Sequence, residues 1–333
     1  MPASLSPRAL VALTAVFISA VLVFAGIYTV TQHNPTPHQL RVGIVAPDVM
    51  VGIINMGLKV KAPGYFTLKQ YPSEASLTSA IKNRKVYGGY VYRKNSGLLL
   101  TASAAGKAAD TALLSLGSEV SKTLRQPLVP RDVVPLTSHD SQGLSSYTYQ
   151  YGLLVPSFFF AILIFMFGHG LSLAWRLGLS GAYSLGAGII GALTVGQIID
   201  ALPGHFLALA ALGTLYAATA VLVTYGLSRV LSYAGLALAG LLLILVGNST
   251  AGGSINQEFL PDFFRNIGQA LPNGAFIRSV RNTVYFDGAN THRAMLVVAL
   301  WALGGLALVL AAERLPNLLS RSKRPKAALK PSA

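Results

Sequence analysis

The stretch ALVALTAVFISAVLVFAGIYTV, residues 9–30, holds no charged side chain. As a helix it would extend roughly 33 Å at about 1.5 Å per residue, enough to cross a hydrocarbon core. A secretory signal has an apolar region of about 7–15 residues and ends in small side chains. Here Phe24, Ile27, Tyr28 and Val30 prolong the run, so it is read as an uncleaved anchor. Five similar runs follow, at residues 151–167, 177–199, 206–227, 230–246 and 294–310. Six membrane-spanning helices are expected.

Composition agrees. Of 333 residues, 53% are hydrophobic and only 11% charged, whereas soluble domains carry about 25% charged residues. There is no cysteine, which excludes a disulfide framework, a thiolate metal site and a cysteine nucleophile. The net charge of +15 is spread over loops and one tail without an aromatic-interleaved patch. A membrane surface accounts for it better than nucleic acid, which is not expected as a partner.

Lys and Arg near span ends favour the cytoplasmic side. With the amino terminus inside, Arg8, Arg176, Arg229, Arg314, Arg321, Lys323, Arg324, Lys326 and Lys330 all fall inside. Tyr28, Tyr147, Tyr149 and Tyr151 fall at the outer interface, and Trp175, Tyr225 and Tyr233 at the inner one. The expected fold is a polytopic α-helical membrane protein with six transmembrane helices and an extracytoplasmic α/β domain inserted between the first and second. Its expected parts are an anchor (1–32), the outer domain (33–146), a five-helix domain (147–313) and a basic cytoplasmic tail (314–333).

Within the outer domain, strands are expected at residues 39–46, 65–71, 86–92 and 97–103, and helices at 73–82 and 107–125. Ala108, Ala112, Leu116 and Val120 would line one face of the longer helix. Residues 131–136 would return the chain to the membrane. At near 110 residues the domain is long enough to bury a core of its own.

No catalytic chemistry emerges, so no enzyme activity and no cofactor are expected. SAAGKAAD, residues 103–110, lacks the first Gly and the hydroxyl residue of a phosphate loop, and Gly106 reads as a strand-to-helix turn. The six histidines are dispersed, without metal-ligand spacing, and His139 beside Asp140 has no assignable nucleophile. The spans are nearly free of charge, which disfavours a proton- or sodium-coupled carrier. Asp200 and His205 belong to a turn, and Gln197 reads as a helix-to-helix hydrogen bond. In the third span Ala182, Gly186, Gly188, Ala192 and Gly196 have small-xxx-small spacing, which lets helices pack closely.

Between the last two spans, GNSTAGGSINQEFLPDFF (247–264) and RNIGQALPNGAFIRSVRNTVYFDG (265–288) read as two short amphipathic helices punctuated by Pro261 and Pro272. Residues 255–288 would form outer re-entrant or interfacial helices. Pro261, Asp262, Pro272, Arg278 and Arg281 are the candidate gating residues.

The order of one helix, a large outer domain and five helices, with LPDFFRNIGQALPNGAFIRSVRNTVYFDG (260–288), resembles type-2 ATP-binding-cassette (ABC) exporter permeases. It is most similar to the branch related to the phage infection protein. AIKNRKVYGGYVY (80–92) and GLLLTASAAGKAADTALLSLGSEV (97–120) resemble that branch too. The resemblance implies a multi-pass permease half in the bacterial cytoplasmic membrane, with both termini cytoplasmic. It would form a homo- or heterodimer, work with a separate cytoplasmic ATPase, and move a hydrophobic or amphipathic substrate outward. Ser172, Trp175 and Arg176, in the short loop after the second span, are the internal candidates for touching the ATPase. The alternative is a non-transporting scaffold or surface receptor whose outer domain binds cell-wall polymers or proteins, with Lys82, Arg84, Lys85, Arg93 and Lys94 available to anionic polymers.

Overall fold

A computed structural model describes residues 6–33 and 35–322. The expected tail residues Lys323, Arg324, Lys326 and Lys330 lie outside the described residues. Helix α1 (Pro7–Gln32) leads into an α/β domain made of β1 (Leu40–Val45), α2 (Asp48–Lys61), β2 (Phe66–Gln70), α3 (Glu74–Lys82), β3 (Gly88–Arg93), β4 (Ser96–Thr101), α4 (Lys107–Leu124) and β5 (Leu128–Asp132). The strands form one sheet in the order β2-β1-β3-β4-β5, parallel except for the β3–β4 hairpin.

All four expected strands and both expected helices are present. Helix α3 starts where Ser73 and Ser76 exchange side-chain and backbone hydrogen bonds in a capping box, which satisfies amide groups that no helical partner can reach. Two elements depart from expectation. Residues 131–136 do not simply return the chain to the membrane, because Leu128–Asp132 pairs in parallel with β4 as a fifth strand. Its Pro130, which lacks a backbone donor, suits the sheet edge it occupies. The second departure is α2, whose sequence DVMVGIINMGLKVK is apolar nearly all round and so shows little helical periodicity.

The face of α4 is also turned from expectation. Ala109, Leu113, Leu116 and Val120 are buried on the sheet, whereas Ala108 and Ala112 are only partly covered.

The domain does not complete its core alone. Leu40, Val42, Ile44, Leu77, Leu100 and Leu113 pack in one cluster that includes Phe259 and Phe286, from the segment between the last two membrane-type helices. Residues 33–146 are long enough to bury a core, and that core is shared with Phe259 and Phe286.

Among the described residues four helical stretches are long and apolar enough to cross a membrane: Ser145–Gly170, Leu173–Ile198, Phe206–Leu231 and Thr291–Arg314. They belong to α5 (Ser145–Phe167), α6 (Leu173–Leu193), α7 (Phe206–Leu231) and α12 (Thr291–Ser322). Two shorter apolar stretches, Ile18–Gln32 and Tyr233–Ser249, accompany them. These helices point to a membrane protein. The run expected at 230–246 is displaced, since α7 continues through Leu231 and breaks at Ser232, where φ is 56°. The chain restarts as α8 (Tyr233–Ala239), passes through a π-helical stretch (Gly240–Val246) and ends in a single turn, α9 (Gly247–Ser249).

Helix α7 sits at the centre, packed by α5, α6 and α12. Glycines allow the closest approaches. A Cβ on Gly188 would lie 2.3 Å from Thr214 Oγ1, and one on Gly226 would lie 2.6 Å from the carbonyl of Gly305. The first crossing uses the small-residue spacing read from the sequence; the second joins α7 to α12 through glycines whose pattern gave no signal. Ala192 is fully buried and Gly196 approaches Leu202 and Leu209 on the same side. Gly186 instead faces open space, and with Ala182 it lines a groove between α5 and α6.

Candidate functional site: the cap between bundle and α/β domain

Residues 252–289 join the helical bundle to the α/β domain. Helix α10 (Asp262–Ala270) begins after Pro261, and α11 (Pro272–Tyr285) carries Pro272 in its first turn, where the missing proline donor has no cost to the helix. Both prolines therefore start helices, as the sequence suggests. Asp262 pairs with Arg265 one turn later at 2.9 Å. Phe263 is largely exposed, while Trp301 of α12 donates to the carbonyl of Ala270 at 2.8 Å.

Helix α11 is buried along most of its length. Arg278 and Arg281 are one turn apart and serve different partners. Arg278 donates to Gln257 Oε1 at 2.7 Å. Arg281 is buried and donates to three main-chain carbonyls: Gly252 at 3.2 Å, Gly143 at 3.0 Å and Gly253 at 2.9 Å. Burial, aided by Arg84, pushes its pKa down to about 10 against the pull of Asp140. That still leaves the guanidinium charged at neutral pH. A rigid planar fork is suited to gathering several carbonyls at once, so Arg281 clamps the cap to the loop that enters α5.

Asp140 makes the second clamp. Its carboxylate accepts from the Ser145 amide at 2.9 Å and the Ser145 hydroxyl at 2.7 Å, and from Tyr285 of α11 at 3.2 Å. It is committed to these contacts, while its neighbour His139 is exposed and lies 3.5 Å from Asp200 instead. The pair His139 and Asp140 does not form a proton-sharing unit.

On the other side the cap grips the α/β domain. Asn256 donates to the carbonyl of Ala105 at 2.8 Å and accepts from the amide of Ala109 at 3.3 Å. His38 donates its amide to the carbonyl of Glu258 at 2.7 Å, and Arg265 donates to the His38 carbonyl at 3.2 Å. Arg84 lies over the Phe286 ring, 4.6 Å from its centroid, in cation–π range. The SAAGKAAD segment is therefore a docking edge for Asn256. Tyr87, buried against Glu258, has its phenol pushed upward by desolvation and by that carboxylate.

The tyrosines expected at the outer interface behave differently from one another. Asn248 donates to both Tyr28 at 3.0 Å and Tyr147 at 2.8 Å, tying α1 and α5 to α9. Tyr149 is buried within the bundle and donates to the carbonyl of Leu209, so it is no interface anchor.

At the opposite end of the bundle, Ser172 caps α6 by accepting from the Trp175 amide, and Trp175 is 66% exposed. Arg176 turns inward. It is buried, pairs with Glu313 of α12 at 2.9 Å, and donates to Tyr225 at 2.7 Å, while Arg229 meets the same carboxylate at 3.1 Å. Glu313 was not singled out from the sequence. Its signal is an acidic residue at the close of the apolar stretch Thr291–Arg314, at the same end of the bundle as Arg176 in the first turn of α6 and Arg229 in the last turn of α7.

Among the described residues no group of three acidic or histidine side chains is arranged to hold a metal ion. No family model, curated protein or solved structure matches the chain.

Proposed function

We propose that the chain is the membrane subunit of an ABC-type exporter that moves a hydrophobic or amphipathic substrate outward with energy from a separate ATPase. In this reading α1 and the stretch from Tyr233 to Ser249 complete six crossings, both termini are cytoplasmic, and two permease halves assemble. The observation that carries it is the cap: α10 and α11 are bonded to α5, α12 and the α/β domain together. A movement of the bundle thereby reaches the outer domain through Arg281, Asp140 and Asn256. The sequence resemblance of residues 260–288 supports the same reading.

Isolation of the intact complex from its native membrane tests it. Co-purification of an ATPase whose ATP hydrolysis drives efflux is expected; a complex that recruits none and moves nothing overturns it. The absence of cysteine in the sequence makes sidedness simple to probe. Lys94→Cys should react with an impermeant thiol reagent from outside and Trp175→Cys only from inside.

The inward commitment of Arg176 favours a second reading. With that guanidinium held by Glu313, Trp175 is the exposed member of the expected contact, which suits a scaffold or surface receptor with little need to grip an ATPase. Salt-sensitive binding of the intact protein to anionic wall polymers, without efflux, would favour it.

A further inference from the structure

The α/β domain has an apolar groove that none of the cap contacts uses. It lies between α2 and α4, has a volume of about 560 Å³, and is walled by Ile54, Leu58, Phe66, Ala112 and Leu116. That volume falls in the range of small-molecule sites, about 300–1,000 Å³. Gly57 also borders the groove, and a Cβ there would meet nothing within 4 Å, so this wall is open where an ordinary core is closely packed.

Two further features define an occupant. First, the groove continues onto an apolar stripe of α2: Val49 is 71% exposed, Ile53 46%, Met56 70% and Val60 77%. Exposed apolar side chains in one contiguous strip commonly mark a contact with something apolar. Pro37, a few positions beyond the end of α1, also borders the groove, placing it beside the point where the chain leaves the apolar stretch Ile18–Gln32. Second, the lip is basic. Lys61 lies 3.5 Å from Glu119, but Glu119 has a second partner in Lys122 at 3.0 Å. One carboxylate thus faces two ammonium groups. The Lys61 pair is well exposed at 66% and 53%, and such pairs hold weakly, which frees Lys61 to take another anion.

We infer that this groove binds a single-chain anionic amphiphile, a long-chain alkyl carboxylate, with the hydrocarbon between α2 and α4 and the carboxylate at Lys61. The inference goes beyond the transport reading and does not need it, because occupancy of the groove requires neither ATP nor a partner.

The test uses the full chain in lipid nanodiscs without any ATPase, photolabelled with hexadecanoate carrying a diazirine near its methyl end and mapped by peptide mass spectrometry. Adducts are expected within residues 53–66 and 112–123. Gly57→Leu places a side chain in the empty space and should cut those adducts about tenfold or more, as losing roughly two buried methylenes would. Labelling of lipid-facing Phe159 should stay unchanged. Leucine is also the better helix former, so an undiminished melting temperature shows that the variant folds. Lys61→Glu should reduce labelling by the carboxylate several-fold and leave labelling by the diazirine-bearing hexadecanol unchanged.

Groove peptides labelled no more than other water-facing peptides, or labelled equally in Gly57→Leu, overturn the site. A dimer cross-linked through α2 with no groove adduct would instead give the surface to a second copy. Equal losses for acid and alcohol in Lys61→Glu overturn the carboxylate assignment. Failure of efflux leaves these results untouched, and their failure leaves the permease reading standing.

Discussion

The side-chain amide of Asn256 fills the place that a Cβ on Gly106 would need. Such an atom would lie 2.2 Å from Asn256 Nδ2 and 2.3 Å from Oδ1, and Gly106 has φ of 136°. Gly106→Ala therefore meets both a backbone penalty, about 1–3 kcal/mol for such conformations, and a collision. A fall in melting temperature is expected, with faster proteolysis after residue 250 as the cap loosens. Asn256→Ala relieves the collision, so the double variant should recover part of the loss; strict additivity of the two losses would contradict the contact.

Much of the fold was legible in the sequence. Strands β1 to β4, the Ser73 start of α3 and the apolar runs are local signals, each written in periodicity or punctuation. Helix α2 and the edge strand β5 were not legible, because one is apolar nearly all round between its charged ends and the other is a short, mostly exposed strand containing Pro130. The cap was legible as two proline-started helices. What its arginines touch was not, since Gly143 and Gly252 are distant in sequence from Arg281 and offer only carbonyls, which every residue carries.

Arg281→Ala should destabilise the cap strongly. Three carbonyls lose their donor in a buried place, at about 1–3 kcal/mol for each group left unsatisfied, reduced where water enters. Arg281→Lys keeps the charge but cannot span the same three acceptors, so its melting temperature should fall between those of the wild type and the alanine variant. A lysine variant as unstable as the alanine one would mean that charge contributes nothing there.

Glu313→Ala leaves Arg176 and Arg229 facing each other without their shared carboxylate. Removing one partner of a buried pair costs about 3–5 kcal/mol, and the partial exposure of Glu313, 28%, lowers the expected loss to about 1–3 kcal/mol. Arg176→Met together with Glu313→Leu should recover more stability than either single change. Trp175→Ala, by contrast, should leave the melting temperature unchanged while weakening recruitment of any ATPase, which co-purification measures.

Asp110 gives a pH dependence of known sign. Burial holds its carboxyl above the usual range, opposed by a hydrogen bond from Thr101 and reinforced by Asp132. A folded-state pKa above the unfolded one means the folded state binds more protons between the two values, so stability contributed by this group falls as pH rises through that window. Asp110→Asn, which stays neutral, should raise the melting temperature at pH 7, with the gain disappearing below about pH 4, where the unfolded-state carboxyl is also protonated. A gain that persisted at pH 3 would show that charge is not its origin.

Phe286 decides whether the α/β domain stands alone. It is 3% exposed, belongs to the same core as Leu40 and Leu77, and is covered by Arg84, yet it is attached to the bundle through α11. Phe286→Ala should cost about 3–5 kcal/mol, and the loss should appear in the α/β domain rather than in the membrane helices. Hydrogen exchange on the full chain distinguishes the two: amides of β1 and β3 should lose protection while those of α7 keep theirs. For the same reason residues 33–146 expressed alone, lacking both Phe259 and Phe286, should be less protected in β1 and β3 than the same strands in the intact protein. Equal protection would mean that the sheet packs without the cap and that the coupling between cap and domain is weaker than the shared core implies.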